Sequence, residues 1–585
     1  MFIKQMKNST ASGSDSINAV VLKDIYPTIQ RTVIHLVNLS ICSGVFPSIF
    51  KKTKITPLLK PGKESTLTSS YRPVSNTCSI GKIIERCAFK RIMEHINKLG
   101  LINKNHHGGI PFHSTTSCVA QITDDAKNNL ENNMKTAIMA IDLSCAYDLV
   151  DHQLLLQKCR LMSVGSLFLK FIEGFLKSRC QFIEINGVKS EVLACGNEGV
   201  VQGGPSSGDL FIIFLNSLPM SYLPEGSNEN NANPISECQT NGEVVKKNKK
   251  NENEGSKKPF TQKKKKNKNG GGIKTHQEAN ASSNQFVDDL NSAIRGKNEN
   301  ELIENIMVEF RRIKEYLISH KMKINCSKTQ LMFLNPSKEQ RATIIKLDKD
   351  SVSHQEQIKI LGFTLSADLK WDMHLKQGQS NMIKSINAKN AMLRSIRNVI
   401  PMKELALVAN NLINSTILYG APLWVTTTME NKNIIQRSQT KSARIVLASQ
   451  WQEGNKLHRQ NLFDKLKWPN VQQIAEASLL NLVKKATSGQ ASHGLKNMFK
   501  KVYPRHPRGL ETFTIQHFGD CKRKITNFTA YATIKFNNLP AQLRDPKMSC
   551  IRFKKEIKTH LKMTLPLTQH INEKVKYKVT QKIWG

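Results

Sequence analysis

No two of the twelve cysteines are spaced as C-x2-C or C-x4-C, so a zinc ribbon or knuckle has no support. The opening MFIKQMKNST lacks the apolar run of a signal peptide. The longest apolar stretch, Leu210 to Leu215, is far too short to span a bilayer. Acidic residues are scarce: 46 Asp+Glu stand against 86 Lys+Arg, a formal charge of +40 over 585 residues. That excess implies a polyanionic partner, nucleic acid first and an anionic membrane surface second. A 39% apolar content excludes a wholly disordered chain, and the length is enough for several domain-sized units. The thiols inside apolar segments, Cys145 and Cys159 among them, read as reduced core thiols, so the chain is expected to be intracellular.

The periodicities indicate mixed helix and strand. Ile84, Ile92, Ile96 and Leu99 recur at helical spacing, interleaved with Lys82, Arg86, Lys90 and Arg91, which predicts an amphipathic helix with a basic face. TAIMAI, residues 136–141, is too short for a helix and reads as a buried strand ending at Asp142. Ile303, Ile306, Phe310, Ile313 and Leu317 predict a second helix, followed by a strand at QLMFL. Residues 380 to about 500 are mostly helical in pattern, and Pro504 and Pro507 mark a break.

Residues 224–284 differ in kind, being rich in Asn, Lys, Glu, Ser and Gly. The stretch 246–274 carries twelve Lys against two Glu. We expect a disordered insert that loops out, its KKKKNK core either a nuclear-localisation-like or RNA-holding patch or simply tolerated, solvated chain. The last 35 residues add a net +7, so most of the +40 is spread over the remaining chain.

Three aspartates stand out by context. Asp142 ends an apolar strand, and Asp288 and Asp289 sit between Phe286-Val287 and Leu290, as at a hairpin tip. Alone, a DD pair is most often a solvated turn, and an Asp after a strand a helix cap. Carboxylates at adjacent strand ends can instead hold divalent cations for phosphoryl transfer, where two ions about 4 Å apart clamp the attacking and leaving oxygens.

The neighbouring strings decide between these readings. AIDLSCAYDLVDH, from Ala140, resembles motif A of reverse transcriptases from non-LTR (LINE-like) retrotransposons. QFVDD at 285–289 is similar to the family's F/Y-x-D-D box, and GVVQGGPSSGDLF at 199–211 to the Gln-Gly motif between the two. ASGSDSI resembles the first conserved element, and ITPLLKPGK with YRPVS the finger motif. Downstream, KINCSKTQLMFL and then IKILGFTL with LKWDMHL resemble the post-catalytic elements. ILYGAPLW resembles the thumb region, and FNNLPAQLR with FKKEIKTHLK the C-terminal ends of these elements. The order is right throughout, and the resemblance covers nearly the whole chain except the insert.

The resemblance implies an α+β right-hand polymerase fold of fingers, palm and thumb with a mostly helical C-terminal region. Fingers and N-terminal elements are expected in 1–135 and the palm in 136–375. A helical thumb would occupy 376–460 and a basic C-terminal region 461–585. It implies an RNA-directed DNA polymerase that extends a primer 3′ hydroxyl with dNTPs by two-metal phosphoryl transfer. The ions would be two Mg2+, with Mn2+ as an alternative, and the partners an RNA template, a DNA primer and dNTPs, with no membrane. By the same resemblance Asp142, Asp288 and Asp289 are the catalytic and metal-binding carboxylates, with the Leu143 carbonyl as a helper. Arg72, Lys60 and Lys63 match the triphosphate-holding finger positions, as a guanidinium fork suits phosphate oxygens. Tyr147 matches an aromatic gate against the sugar 2′-hydroxyl, its bland alternative being a packed ring. Gln202 and Gly203 match the pair lining the template and nucleotide pocket. Lys328 lies where a proton donor to pyrophosphate could sit, or simply binds phosphate, and Leu361 and Gly362 match the primer grip. Asp148 and His152 are expected to shape the turn.

Some positions depart from the family pattern. Val287 replaces the commoner Ala, which as a small, strand-suited residue is expected to be tolerated. Pro205 is displaced in QGGPSSGD, which leaves the local loop path open. HHGGIPFHSTT at 106–116 lacks the usual Arg or Lys, so one template contact is expected to be weakened. With no upstream endonuclease, we expect a truncated copy or a piece of a longer frame, and no RNase H domain. A nuclear protein with a cytoplasmic RNA-bound stage is expected. Two competitors remain: a catalytically silent relic that only binds nucleic acid, and a group II intron maturase-like enzyme, against which LYGAPLW and FNNLP argue.

Overall fold

The computed structural model describes residues 2–218, 281–347, 350–377, 381–448, 456–502, 513–515 and 527–565. The break at Pro504 and Pro507, the bulk of the Lys-rich insert and the last twenty residues of the basic tail lie outside them. No described helix is long and apolar enough to cross a membrane.

The N-terminal half runs from helix α1 (Ala19–Ser43) through β1 (Lys52–Leu59) and β2 (Tyr71–Asn76) into α2 (Ser79–Lys98) and α3 (Thr115–Glu131). Strands β3 (Lys135–Ile141) and β4 (Leu143–Ser144) follow, then α4 (His152–Leu161) and α5 (Ser166–Leu176). Next come β5 (Cys180–Ile185), β6 (Val188–Lys189), β7 (Leu193–Ala194) and α6 (Ser207–Leu215). After the undescribed stretch, β8 (Ala281–Phe286) and β9 (Asp289–Gly296) form a hairpin, followed by α7 (Glu299–Ser319), β10 (Lys323–Ile324) and β11 (Gln330–Phe333). A second hairpin, β12 (Gln357–Ile360) and β13 (Phe363–Ser366), leads into the helical half. Its principal helices are α8 (Met382–Ile396), α9 (Met429–Leu447), α10 (Val471–Thr487), α11 (His493–Met498), α12 (Phe528–Asn537) and α13 (Cys550–Thr564).

Two sheets organise the α+β half. The finger sheet has the order β2-β1-β5-β6, with β7 also on β5, and β1 runs parallel to β5. The palm sheet is antiparallel with the order β11-β3-β9-β8. The central strand β3 explains its own sequence. Ala137, Met139 and Ile141 point into a core shared with α4, α6 and α7, while Ile138 points into a second core shared with α3 and the helical half. A strand covered on both faces must be apolar at every position, which is why TAIMAI shows no polar alternation. Each such buried Ile or Met contributes about 1.5–3 kcal/mol.

Helix α7 forms as its spacing predicts, capped by Asn298, whose side chain accepts from Glu301 N. Helix α2 also forms, but Leu99 lies at its C-cap and is 50% exposed, so it is not part of the buried stripe. Helix α3, before the expected fingers–palm division at 135/136, packs directly on β3, β8 and β9. Its buried Cys118, Val119, Ile122 and Ala126 are the cover that one palm face requires. That core continues from α3 through α8, α9 and α10 to α13. Helices α11 and α12 dock on α3, and Thr529 Oγ1 donates to Asp124 Oδ1 at 2.6 Å.

The expected insert boundary moves as well. Residues 281–284 belong to β8, because their register with β9, Ala281 opposite Ile294 and Asn284 opposite Asn291, pairs them as strand. Both flanks of 219–280 are held by one ion pair on α7. Arg312 bonds Glu309 with both arms of its fork (2.7 and 2.8 Å) and donates to the Leu218 carbonyl (3.1 Å), while Glu309 accepts from Ser283 Oγ (2.5 Å).

Candidate active site

The β8–β9 hairpin closes through two residues, Val287 and Asp288, with Phe286 opposite Asp289. Only Val287 of the two has positive φ, +59°, the pattern of a type II′ turn whose first position ordinarily takes glycine. Val287 is therefore not in a strand, contrary to the expectation that a strand-suited side chain is tolerated there; a β-branched residue in this region is strained and must be held. Gln285 Nε2 donates to the Val287 carbonyl at 2.7 Å. The segment before α3 supplies the rest. His107 N donates to the Gln285 carbonyl (2.7 Å) and Gln285 N to the Asn105 carbonyl (3.0 Å), which adds a short parallel bridge to the free edge of β8. Gly108 then lies so close to Val287 that a Cβ there would be 2.4 Å from Val287 Cγ2. His106 and His107 are buried in this brace.

This turn sets the three aspartates together. The β3–β9 register pairs Ile141 with Leu290, which brings the next residue, Asp142, level with Asp289. Asp142 also closes the palm with its backbone, its carbonyl accepting from Asn325 N at 2.8 Å, while Leu143 begins β4 against β10. Burial, then the charge of Asp142, raises the pKa of Asp288, while Lys328 and Arg72 oppose the shift. Burial and the charges of Asp288 and Asp142 push Asp289 up to about 6. Beyond burial, the part of this elevation that comes from neighbouring carboxylates reflects negative charges held close together, which a bound cation would relieve. Among the described residues no three His, Cys, Asp or Glu side chains enclose an ion by themselves. The donor set still fits a hard cation such as magnesium, which keeps waters and takes only one or two carboxylates beside substrate phosphates.

Lys328 Nζ donates to Asp142 Oδ2 at 3.0 Å, so its positive charge sits at the carboxylates themselves. Arg72 is exposed on β2 and near enough to act on Asp288. Lys60 and Lys63 are not drawn in: Lys60 Nζ donates to the Ser69 carbonyl (2.8 Å), and Lys63 is exposed at the turn after β1. Tyr147 stacks on Phe211 of α6 (5.0 Å between centroids, 25°). Burial and the charge of Asp288 push its hydroxyl pKa up to about 12, so it stays neutral beside the carboxylates. Asp148 lies in the turn that carries Tyr147, and His152 Nε2 bonds the Gly199 carbonyl (2.8 Å).

The Gln-Gly loop is fixed between these parts. Val200 N donates to the Tyr147 carbonyl (2.8 Å), and Ser75 N, at the end of β2, donates to the Gln202 carbonyl (2.9 Å). Gly203 has φ +97°, a conformation that suits glycine. Sequence reasoning missed Glu85, buried on α2, which accepts from Ser206 N (2.8 Å) and Ser206 Oγ (2.5 Å) and sets the loop's path past the displaced Pro205. Burial raises the Glu85 pKa. The amphipathic pattern around Glu85 pointed to a helix and carried no sign of this partner.

Leu361 and Gly362 make the β12–β13 turn, both with positive φ (+49° and +81°), as in a type I′ hairpin. They are a separate hairpin from the carboxylates. Tyr419, also missed, joins them to the palm: its hydroxyl donates to the Leu361 carbonyl (2.5 Å) and lies 3.4 Å from Thr115 Oγ1 on α3, while its ring stacks on Phe363.

Carboxylates at one end of the antiparallel sheet, an arginine on the neighbouring sheet and the Gln-Gly loop between them form the arrangement that the sequence resemblance implies for a polymerase palm. Comparison agrees: residues 58–230 match the family "Reverse transcriptase (RNA-dependent DNA polymerase)", whose members generally use divalent metal ions. The chain carries a reverse transcriptase domain homologous to the RNA-directed DNA polymerases of Drosophila non-LTR retrotransposons.

The RNA-directed DNA polymerase from mobile element jockey of Drosophila melanogaster is 30% identical over 176 residues, 30% of this chain and 19% of that protein. Its Drosophila funebris counterpart is 21% identical over 450 residues, 77% of this chain and 43% of that protein. The probable RNA-directed DNA polymerase from transposon X-element of Drosophila melanogaster is 20% identical over 461 residues, 78% and 44% of the two chains. The chain thus spans less than half the length of these relatives. Among solved structures, telomerase from Candida albicans with a TWJ fragment of telomeric RNA is similar at a TM-score of 0.37 and 10% identity, over 79% of this chain and 63% of that one.

Proposed function

We propose that the chain is an RNA-directed DNA polymerase that extends a primer 3′ hydroxyl with dNTPs along an RNA template. The observation that carries this reading is the trio Asp142, Asp288 and Asp289 at one sheet end, the last two raised in pKa by burial and then by the carboxylate charge beside them. Asp142 and Asp288 would hold two Mg2+ ions, or Mn2+ in their place, with the Leu143 carbonyl and Asp289 as further donors. Divalent ions bound there supply charge stabilisation for the attacking and leaving oxygens. Arg72 would grip the triphosphate with its planar fork, and Gln202 and Gly203 would line the nucleotide pocket. Tyr147, fixed by its stack on Phe211, would exclude the ribose 2′-hydroxyl by bulk. Lys328, 3.0 Å from Asp142, would stabilise or protonate the pyrophosphate as it leaves. Leu361 and Gly362 would hold the primer.

The test is primer extension on primed poly-A with Mg2+ and labelled dTTP, beside an Asp288→Ala control. Incorporation that vanishes in the control supports the enzyme. Negligible incorporation by both, with salt-sensitive RNA binding retained, would leave a binding protein only.

A further inference from the structure

The loop before α3 ends in an aromatic residue that the mechanism above does not use. Phe112 is 63% exposed, and its φ is +67°. A bulky L-residue rarely occupies that region, and phenylalanine has no polar atom with which to stabilise it locally. Packing does not explain the ring either, since most of it faces solvent. We propose that Phe112 is a stacking platform for an unpaired base of the template strand. The proposal rests on the polymerase reading and adds a contact to it.

Its position supports this. Four residues upstream, Gly108 lies against Val287 of the aspartate turn. Gly109 lies against Ile212 of α6, the helix that follows the Gln-Gly loop. Three residues downstream, Thr115 meets the Tyr419 hydroxyl that also holds the Leu361 carbonyl. The loop that carries Phe112 is therefore anchored where the aspartate hairpin, the Gln-Gly helix and the second hairpin converge. Burial, and after it the charge of exposed Lys496, lowers the basicity of His113, the residue after Phe112; burial, then exposed Lys104 and Lys496, lowers that of His493. These lysines place positive charge beside the end of the loop, as suits a phosphate backbone.

The chemistry selects the strand. Bases within a duplex have both faces covered by neighbours, whereas a single strand offers a free face. In primer extension the uncopied template is the single strand. Stacking also accepts any base, as copying requires, because every base has a π-face.

The test uses the full chain and two variants, Phe112→Gly and Phe112→Trp. Each is titrated against primed RNA with a template overhang and against the same duplex made blunt. Phe112→Gly should bind the overhang substrate roughly tenfold more weakly. Its affinity for the blunt duplex and its salt slope should be unchanged, because no phosphate contact is removed. Its melting temperature should equal or exceed wild type, because glycine relieves the positive φ. Phe112→Trp should keep wild-type affinity. Equal overhang affinity in Phe112→Gly would overturn the proposal, as would the same loss on blunt duplex. If the wild type extends no primer, the polymerase reading falls, while the overhang-against-blunt comparison still decides the role of Phe112.

Discussion

Gly108→Ala is the sharpest perturbation of the aspartate turn that touches no aspartate. A Cβ at Gly108 would stand 2.4 Å from Val287 Cγ2 and 2.7 Å from Val287 N. Comfortable carbon contacts lie at about 3.5–4 Å, so the turn or the loop must yield by about 1 Å. Overpacking of this kind costs about 1–3 kcal/mol of stability. A 1 Å shift of a catalytic group costs about 100-fold in rate. The expected signature is thus a modest fall in a urea midpoint with a roughly 100-fold fall in primer-extension turnover at saturating template and dTTP. Val287→Ala should restore part of the loss when combined with Gly108→Ala, since it removes Cγ2 but leaves the backbone nitrogen. The coupling between the two should fall within about 0.5–3 kcal/mol. Turnover within threefold of wild type in Gly108→Ala, at an unchanged urea midpoint, would refute the reasoning.

Glu309→Ala should destabilise the fold by about 3–5 kcal/mol in chemical denaturation, because it strips a buried carboxylate from Arg312 and Ser283. Asp289, pushed up to about 6, binds a proton in the folded state at a pH where the unfolded chain does not. In the metal-free protein its contribution to stability should therefore rise as pH falls from about 6 toward about 4, and Asp289→Asn should flatten that rise in pH-dependent melts. The same proton competes with a cation, so half-maximal extension should need more Mg2+ at pH 6 than at pH 7.5, and an unchanged requirement would count against Asp289 as a ligand. Tyr147→Ala should relax discrimination against ribonucleotides by roughly tenfold or more, read as the ratio of dTTP to UTP incorporation, at little cost to dTTP turnover.

Local elements and candidate chemistry were legible in the chain itself. TAIMAI and the stripe from Ile303 to Leu317 formed as read, because burial on two faces leaves an unbroken apolar run and burial on one helical face leaves a period in the residues. The aspartates were legible through their neighbouring strings, and their hairpin through the Phe-Val-Asp-Asp-Leu run. What escaped were partnerships across long separations. Gly108 against Val287, Glu85 with Ser206, Glu309 with Ser283, and Tyr419 with Leu361 leave no periodic trace, because each is a single contact made by the packing of distant elements. Leu99 shows the converse, sharing the helical period yet falling past the last turn and into solvent.

By itself, then, the sequence determined a basic polymerase-like chain, its strand and helix periods, and the aspartates that could hold metal. Only the tertiary structure decided that β8 begins at Ala281, because register with β9 is a pairing property. It alone decided that α3 covers one face of the palm and continues into the C-terminal helices, because a two-faced sheet must be buried on both sides. And it alone decided that Val287 holds a left-handed turn under the aspartates, because that strained backbone depends on a glycine 179 residues away in the chain.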